Sequence, residues 1–139
     1  MRIALLLLFS FHLAAADGSN SHKTWLVVPC YNEALRLPSK TFETYLGSHP
    51  KTQLIMVNDG SSDGTLDMLR DLRTQKPDQV TILNLEGNRG KAEATRLGML
   101  AALNQVVRTF GTGRDVVGFW DAGECLYLLR APSALQFET

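Results

Sequence analysis

The apolar run Leu54-Ile55-Met56-Val57 is followed at once by Asn-Asp-Gly-Ser-Ser-Asp-Gly-Thr (58–65) and then by a helical pattern. A strand that stops in a loop of two carboxylates, two glycines and three hydroxyls and restarts as a helix is the building unit of an open α/β sheet. In such sheets ligands sit outside the carboxyl ends of the strands.

The same unit recurs along the chain. Residues 24–28 (Thr-Trp-Leu-Val-Val), 54–57, 80–83 and 115–120 (Asp-Val-Val-Gly-Phe-Trp) are short, β-branched and apolar, as expected for parallel strands covered on both faces. Pro29 is expected to end the first strand, because it cannot donate to a ladder. Between the strands, Leu66, Met68, Leu69 and Leu72 recur at roughly helical spacing, with Ser62 or Asp63 as the cap and Lys76-Pro77 as the stop. Residues 92–107 are rich in Ala and Leu, and 38–46 form a weaker helical candidate. Alternating strands and helices predict right-handed crossovers and a doubly wound sheet. The order stops after Trp120: residues 124–139 hold Leu126-Tyr127-Leu128-Leu129 but no further strand–helix pair.

The chain has 139 residues, enough for one domain, and Lys plus Arg balance Asp plus Glu for a formal charge of zero. No basic excess marks a nucleic-acid partner. At the N-terminus, Met1-Arg2 precedes a largely apolar stretch to residue 16, ending Ala14-Ala15-Ala16. Residues 1–16 read as a secretory signal peptide, with a short uncleaved anchor to an endomembrane as the alternative. Their apolar run of about 14 residues is short of the roughly 20 that a spanning helix needs. Cys30 and Cys125 lack the spacing of a metal or redox pair, and are read as idle thiols rather than a disulfide.

Four polar loops fall on one rim of this sheet: residues 30–33, 58–63, 86–91 and 121–123. Their chemistry suits a nucleoside diphosphate. Asp59 can accept from a base N–H, Glu33 or Asp121 from ribose hydroxyls, and Tyr31 offers a stacking face. Arg89 and Lys91 can neutralise phosphate oxygens beside a helix N-terminus, where a bound anion would relieve the conflict between a cation and the helix dipole. Other phosphate and cation motifs fail on spacing. Gly87-Asn88-Arg89-Gly90-Lys91 is followed by Ala92 rather than Ser or Thr, so it is no Walker loop. An EF-hand beginning at Asp59 would need a glutamate where Arg70 stands. Gly111-Thr112-Gly113 lacks the third glycine of the dinucleotide fingerprint.

Val27-Val28-Pro29-Cys30-Tyr31-Asn32-Glu33, the 57–65 loop, Asn88-Arg89-Gly90-Lys91 with Gly98-Met99, and Phe119-Trp120-Asp121-Ala122 occur together and in order. In this the chain resembles the family 2 glycosyltransferases, the branch acting on dolichyl phosphate being nearest. The resemblance implies a GT-A fold, with residues 24–123 as a partial, Rossmann-like nucleotide-sugar-binding domain and residues 124–139 as a divergent tail. It also implies inverting transfer of a sugar from a UDP- or GDP-linked donor to a lipid-phosphate or saccharide acceptor. Pro29, Tyr31 and Glu33 would line the nucleoside, Asp59 would meet the base, and Lys91 would lie near the diphosphate. Asp121 would open the D-x-D that helps bind magnesium or manganese, but the second carboxylate position is Gly123. The family's acceptor site and catalytic base lie in a C-terminal half with no counterpart in 124–139. Little or no transfer by this chain alone is the expectation, and a catalytically inactive nucleotide-sugar-binding or interaction module is the alternative. A nucleotidyltransferase, the third reading, would want a glycine- and basic-rich loop after strand one, which 30–33 is not.

Overall fold

In the computed structural model, the described residues are 22–108 and 115–120, together with the backbone of 126–130. Eight elements follow one another: β1 (Thr24–Cys30), α1 (Ser39–Ser48), β2 (Thr52–Asn58), α2 (Thr65–Gln75), β3 (Val80–Asn84), α3 (Lys91–Arg108), β4 (Val116–Trp120) and β5 (Leu126–Arg130). They form one sheet in the order β3-β2-β1-β4-β5. The first four strands are parallel, and β1 lies between β2 and β4. The fifth strand lies outside the four that the sequence suggests. Leu126-Tyr127-Leu128-Leu129 forms it, running antiparallel to β4 with Trp120 opposite Leu126.

Side chains alternate across the central strands, as the two-residue strand period requires. Leu26, Val28, Cys30, Leu54 and Met56 face one core, where Phe42 and Leu46 of α1 and Leu69 and Leu72 of α2 cover them. Trp25, Val27, Ile55 and Val57 face the other, beneath Ala94 and Ala102 of α3. The fully buried helix residues are large on the first face and small on the second, where Met99 and Val106 pack at the margin. On α3, Ala94, Gly98 and Ala102 fall on one stripe, and a Cβ on Gly98 would lie 2.3 Å from Val27 Cγ1 and 2.8 Å from Val57 Cγ2. Glycine inside a helix costs about 1 kcal/mol relative to alanine. Here the missing methyl lets α3 lie against β1 and β2.

Pro29 does not end β1. The strand continues to Cys30, with Pro29 opposite Val57. Lys23 O accepts from Val116 N on the β4 side, and Thr24 N donates to Lys51 O on the β2 side. Backbone groups alternate along a strand, so position 29 faces β4, and that ladder ends at Val27 opposite Phe119. The missing N–H falls where no partner is needed.

The cap of α2 also differs from expectation. Gly64 is the N-cap and makes no side-chain cap bond, while Asp63 Oδ1 accepts from Thr65 N at 3.0 Å. At the end of β4, Trp120 packs edge-on to Phe42, ring centroids 5.1 Å apart, which ties the strand to α1. Among the described residues no helix is long and apolar enough to cross a membrane; residues 1–16 lie outside them.

Candidate functional site

Three loops leave the carboxyl ends of β1, β2 and β3, and two sets of hydrogen bonds make them one unit. The first set joins the loops after β1 and β2. Asn32 N donates to Ser61 Oγ at 3.0 Å, and Ser62 N donates back to Asn32 Oδ1 at 2.9 Å. Glu33 N donates to Thr65 Oγ1 at 2.8 Å, and Ala34 N to Asp63 Oδ2 at 3.1 Å. The Thr65 hydroxyl in turn donates to Asp63 Oδ1. Asn32 takes a left-handed backbone with φ of 49°, a conformation that asparagine tolerates better than most residues.

These bonds redefine the loop's polar residues. All three hydroxyls, which the sequence suggests for a pocket, bond to protein: Ser61 and Thr65 accept from backbone N–H groups, and Ser62 Oγ lies 3.4 Å from Asn32 Oδ1. Asp63 serves the loop junction as well as the helix start. The Thr65 hydroxyl above all, then the N–H groups of Thr65 and Ala34, holds its carboxyl below the ordinary aspartate value.

The second set joins the loops after β2 and β3. Asp59 N donates to Cys30 O at 2.9 Å, continuing the sheet ladder, and its carboxylate is 2% exposed. Asp59 Oδ1 accepts from Arg89 N at 2.7 Å, and Oδ2 accepts from Gly90 N at 2.9 Å. Beside it Gly60 has φ of 65°, and a Cβ there would lie 2.3 Å from the carbonyl carbon of Gly87 and 2.4 Å from Asn88 N. The two backbones therefore touch. Just below, Asn58 Nδ2 donates to Asn84 Oδ1 at 2.7 Å.

Around this frame stand the other sequence-nominated residues. Pro29 is buried at the end of β1, and Tyr31 is 45% exposed on the rim. Glu33 is forked against Arg36, with its oxygens 3.1 Å and 3.2 Å from Nε and Nη2, so its charge is locally balanced. Lys91 opens α3, one residue beyond Gly90. Asp121, the proposed metal ligand, lies outside the described residues, as do Gly123 and Cys125. Cys30 is buried and free; burial first, and Glu33 second, pushes its thiol up to about 12. A buried thiol in that state packs as a core residue.

The described carboxylates do not by themselves fit a divalent cation. Asp59 and Asp63 are bonded to N–H groups and Glu33 to a guanidinium, and no group of three metal-ligating side chains occurs among the described residues.

Comparison with known proteins settles the family. The model of glycosyl transferase family 2 matches residues 25–122, most of the chain. The chain belongs to this family. Dolichyl-phosphate beta-glucosyltransferase of Drosophila melanogaster is 36% identical over an alignment of 95 residues that covers 62% of this chain and 29% of that protein. Poly-beta-1,6-N-acetyl-D-glucosamine synthase of Staphylococcus epidermidis is 32% identical over 81 residues, 58% of this chain and 19% of the other. The chain thus spans less than a third of these family 2 relatives. Among solved structures, the mannosyltransferase PcManGT of Pyrobaculum calidifontis, in complex with GDP-Man and Mn2+, aligns with TM-score 0.53 and 27% identity, covering 76% of this chain and 29% of that one. S. aureus TarS in complex with UDP aligns with TM-score 0.55 and 22% identity, covering 72% of this chain and 27% of that one, a likeness of fold. The sheet is the Rossmann-like parallel sheet of a GT-A glycosyltransferase.

Proposed function

We propose that this chain binds the nucleotide-sugar donor of a family 2 glycosyltransferase at the carboxyl edge of β1–β3. The observation that carries this reading is the convergence of three strand-end loops on Asp59, beside the N-terminus of α3. Helix N-termini carry about half a positive charge, and Arg89 and Lys91 add two full ones next to it. A diphosphate suits that end. Tyr31 offers its exposed ring to the base, and each Asp59 oxygen, holding one N–H, keeps a lone pair for a base N–H. Glu33 can accept from ribose hydroxyls if it turns from Arg36. Binding at this edge places the sugar beyond the diphosphate, toward the acceptor.

In the whole protein the reaction would be an inverting transfer to a lipid phosphate or a saccharide, acceptor classes suggested by the dolichyl-phosphate relative and by the polysaccharide synthase. A magnesium or manganese ion, when bound, would neutralise the leaving diphosphate, and Asp121 is the residue we assign to it. Gly123 in place of the second carboxylate favours a second reading, a nucleotide-sugar-binding module without transfer. The apolar pattern of residues 1–16 supports a place in the secretory pathway or at an endomembrane, as a cleaved signal peptide or an uncleaved anchor.

Calorimetry of the whole chain with UDP-glucose and GDP-mannose, with and without manganese, tests the donor site. Saturable binding of either donor is expected; a folded protein that gives no heat with both would overturn it. Release of free sugar or its transfer to a lipid phosphate would separate the enzyme from the binding module.

A further inference from the structure

The outer surface of α3 differs from those of the other two helices. Among the described residues the large apolar side chains left exposed are Tyr31, Leu35, Leu100, Leu103 and Val107, and the last three stand on α3 at 46%, 40% and 67% exposure. Their spacing of three and four residues puts them on one stripe, about half a turn from Ala94, Gly98 and Ala102, which face the sheet. Arg96 and Asn104 are exposed beside it. Helices α1 and α2 expose only small, polar or charged residues. Charge divides in the same way. Lys40 and Glu43 balance on α1, and Asp67 and Asp71 balance Arg70 and Arg73 on α2. From residue 94 to 108, α3 holds two arginines and no carboxylate. Arg96 reaches back to Glu93 at 2.7 Å, and Arg108 closes the stripe at the other end.

An apolar stripe edged by cations and free of acids complements an anionic lipid surface: the apolar side chains enter the boundary below the head groups and the cations meet their phosphates. The place of α3 in the fold suits such a surface. Its 18 residues run about 27 Å, from Lys91 at the carboxyl edge to the amino edge, and Gly98 lies against Val27 of β1. The same strand is the one that the apolar residues 1–16 precede, with only the polar stretch 17–21 and two further residues between. We infer that the outer stripe of α3 docks on an anionic lipid bilayer, which lays the sheet flat on the membrane with its carboxyl edge opening along the head groups. This rests on the endomembrane reading above and adds an orientation to it: a lipid-phosphate acceptor reaches the donor edge from the side, within the plane of the membrane.

The test uses the whole chain with Cys125→Ser and one environment-sensitive dye, placed at Asn104→Cys beside the stripe or at Thr74→Cys on α2, across the sheet; Cys30 is buried. Vesicles are made of phosphatidylcholine alone or mixed with phosphatidylglycerol. On mixed vesicles the dye at 104 should shift to the blue and be quenched by lipid-borne quenchers, and the dye at 74 should do neither. Leu100→Gln with Val107→Gln, two exposed changes that leave both cores intact, should abolish the shift at 104 and weaken vesicle binding about tenfold. Arg108→Gln should weaken binding about fivefold, on mixed vesicles only. Vesicle binding with equal dye responses at 104 and 74 would overturn the inference and leave the endomembrane reading to residues 1–16. No binding to either vesicle would overturn both. A blue shift at 104 without vesicles, in a species with the sedimentation mass of two chains, would make the stripe an interface between copies and overturn the lipid assignment.

Discussion

The two ends of the sheet solve the same problem with opposite chemistry. At the amino end, carbonyls converge on a donor: Gln79 Nε2 lies 3.3 Å from Leu46 O, 3.0 Å from His49 O and 3.0 Å from Thr52 O, gathering the end of α1 and the start of β2. At the carboxyl end, N–H groups converge on acceptors, those of Asn32, Glu33 and Ala34 on Ser61, Thr65 and Asp63, and those of Arg89 and Gly90 on Asp59. The contrast follows from topology. In a parallel sheet with helical crossovers the helices end at the amino edge, where their carbonyls are unpaired, and begin at the carboxyl edge, where their N–H groups are. An excess of N–H groups is a positive surface, and Arg89 and Lys91 lie beside the one at the start of α3. Asp115 at the amino end, accepting from Lys23 N at 2.9 Å, is buried as deeply as Asp59 but only ties β4 to the start of β1. Burial of a carboxylate therefore does not mark the site. What distinguishes Asp59 is that its partners belong to a loop beside a helix N-terminus.

The contrast breaks most sharply at Gly60. An alanine there has a strained φ and would press its Cβ into the backbone of Gly87 and Asn88, so Gly60→Ala should cost about 3 kcal/mol in urea unfolding and weaken the 88–91 junction. Asp59→Ala should follow at about 2 kcal/mol, since it removes two bonds to a charged acceptor from groups near solvent. At the junction of the first two loops, Thr65→Val leaves Glu33 N without its acceptor and should cost about 1 kcal/mol by the same measurement. The smallest effect belongs to pH. Because the Asp63 carboxyl is lowered in the folded state, its contribution is present above the ordinary value of 3.8 and is lost as pH falls below it. Asp63→Asn should therefore flatten the acid limb of the stability profile below that value.

The carboxyl edge was open to reading from the sequence because parallel strands announce themselves as unbroken apolar runs and the loops between run and helix are short. Val80–Asn84 and Val116–Trp120 emerge nearly at the expected limits for that reason. Pro29 defied expectation because the sequence does not say which neighbour a strand's backbone faces. The fifth strand is antiparallel and followed by no helical pattern, so Leu126-Tyr127-Leu128-Leu129 carries no periodic signature of its own. Within the site, residue types and positions were legible but partners were not. Nothing in the spacing of Asp59 and Gly90 indicates that a carboxylate meets an N–H thirty-one residues away, or that Ser61 and Thr65 serve Asn32 and Glu33.

The most direct measurement of the claim that the carboxyl edge is the donor site is an amide-resonance titration of the whole chain with UDP-glucose and, separately, GDP-mannose. Shifts concentrated at residues 30–33, 58–62 and 86–91, with residues 46–49, 51–52, 76 and 78–80 at the amino edge unchanged, are expected for at least one donor. Shifts centred on the amino edge, or none with either donor, would contradict it.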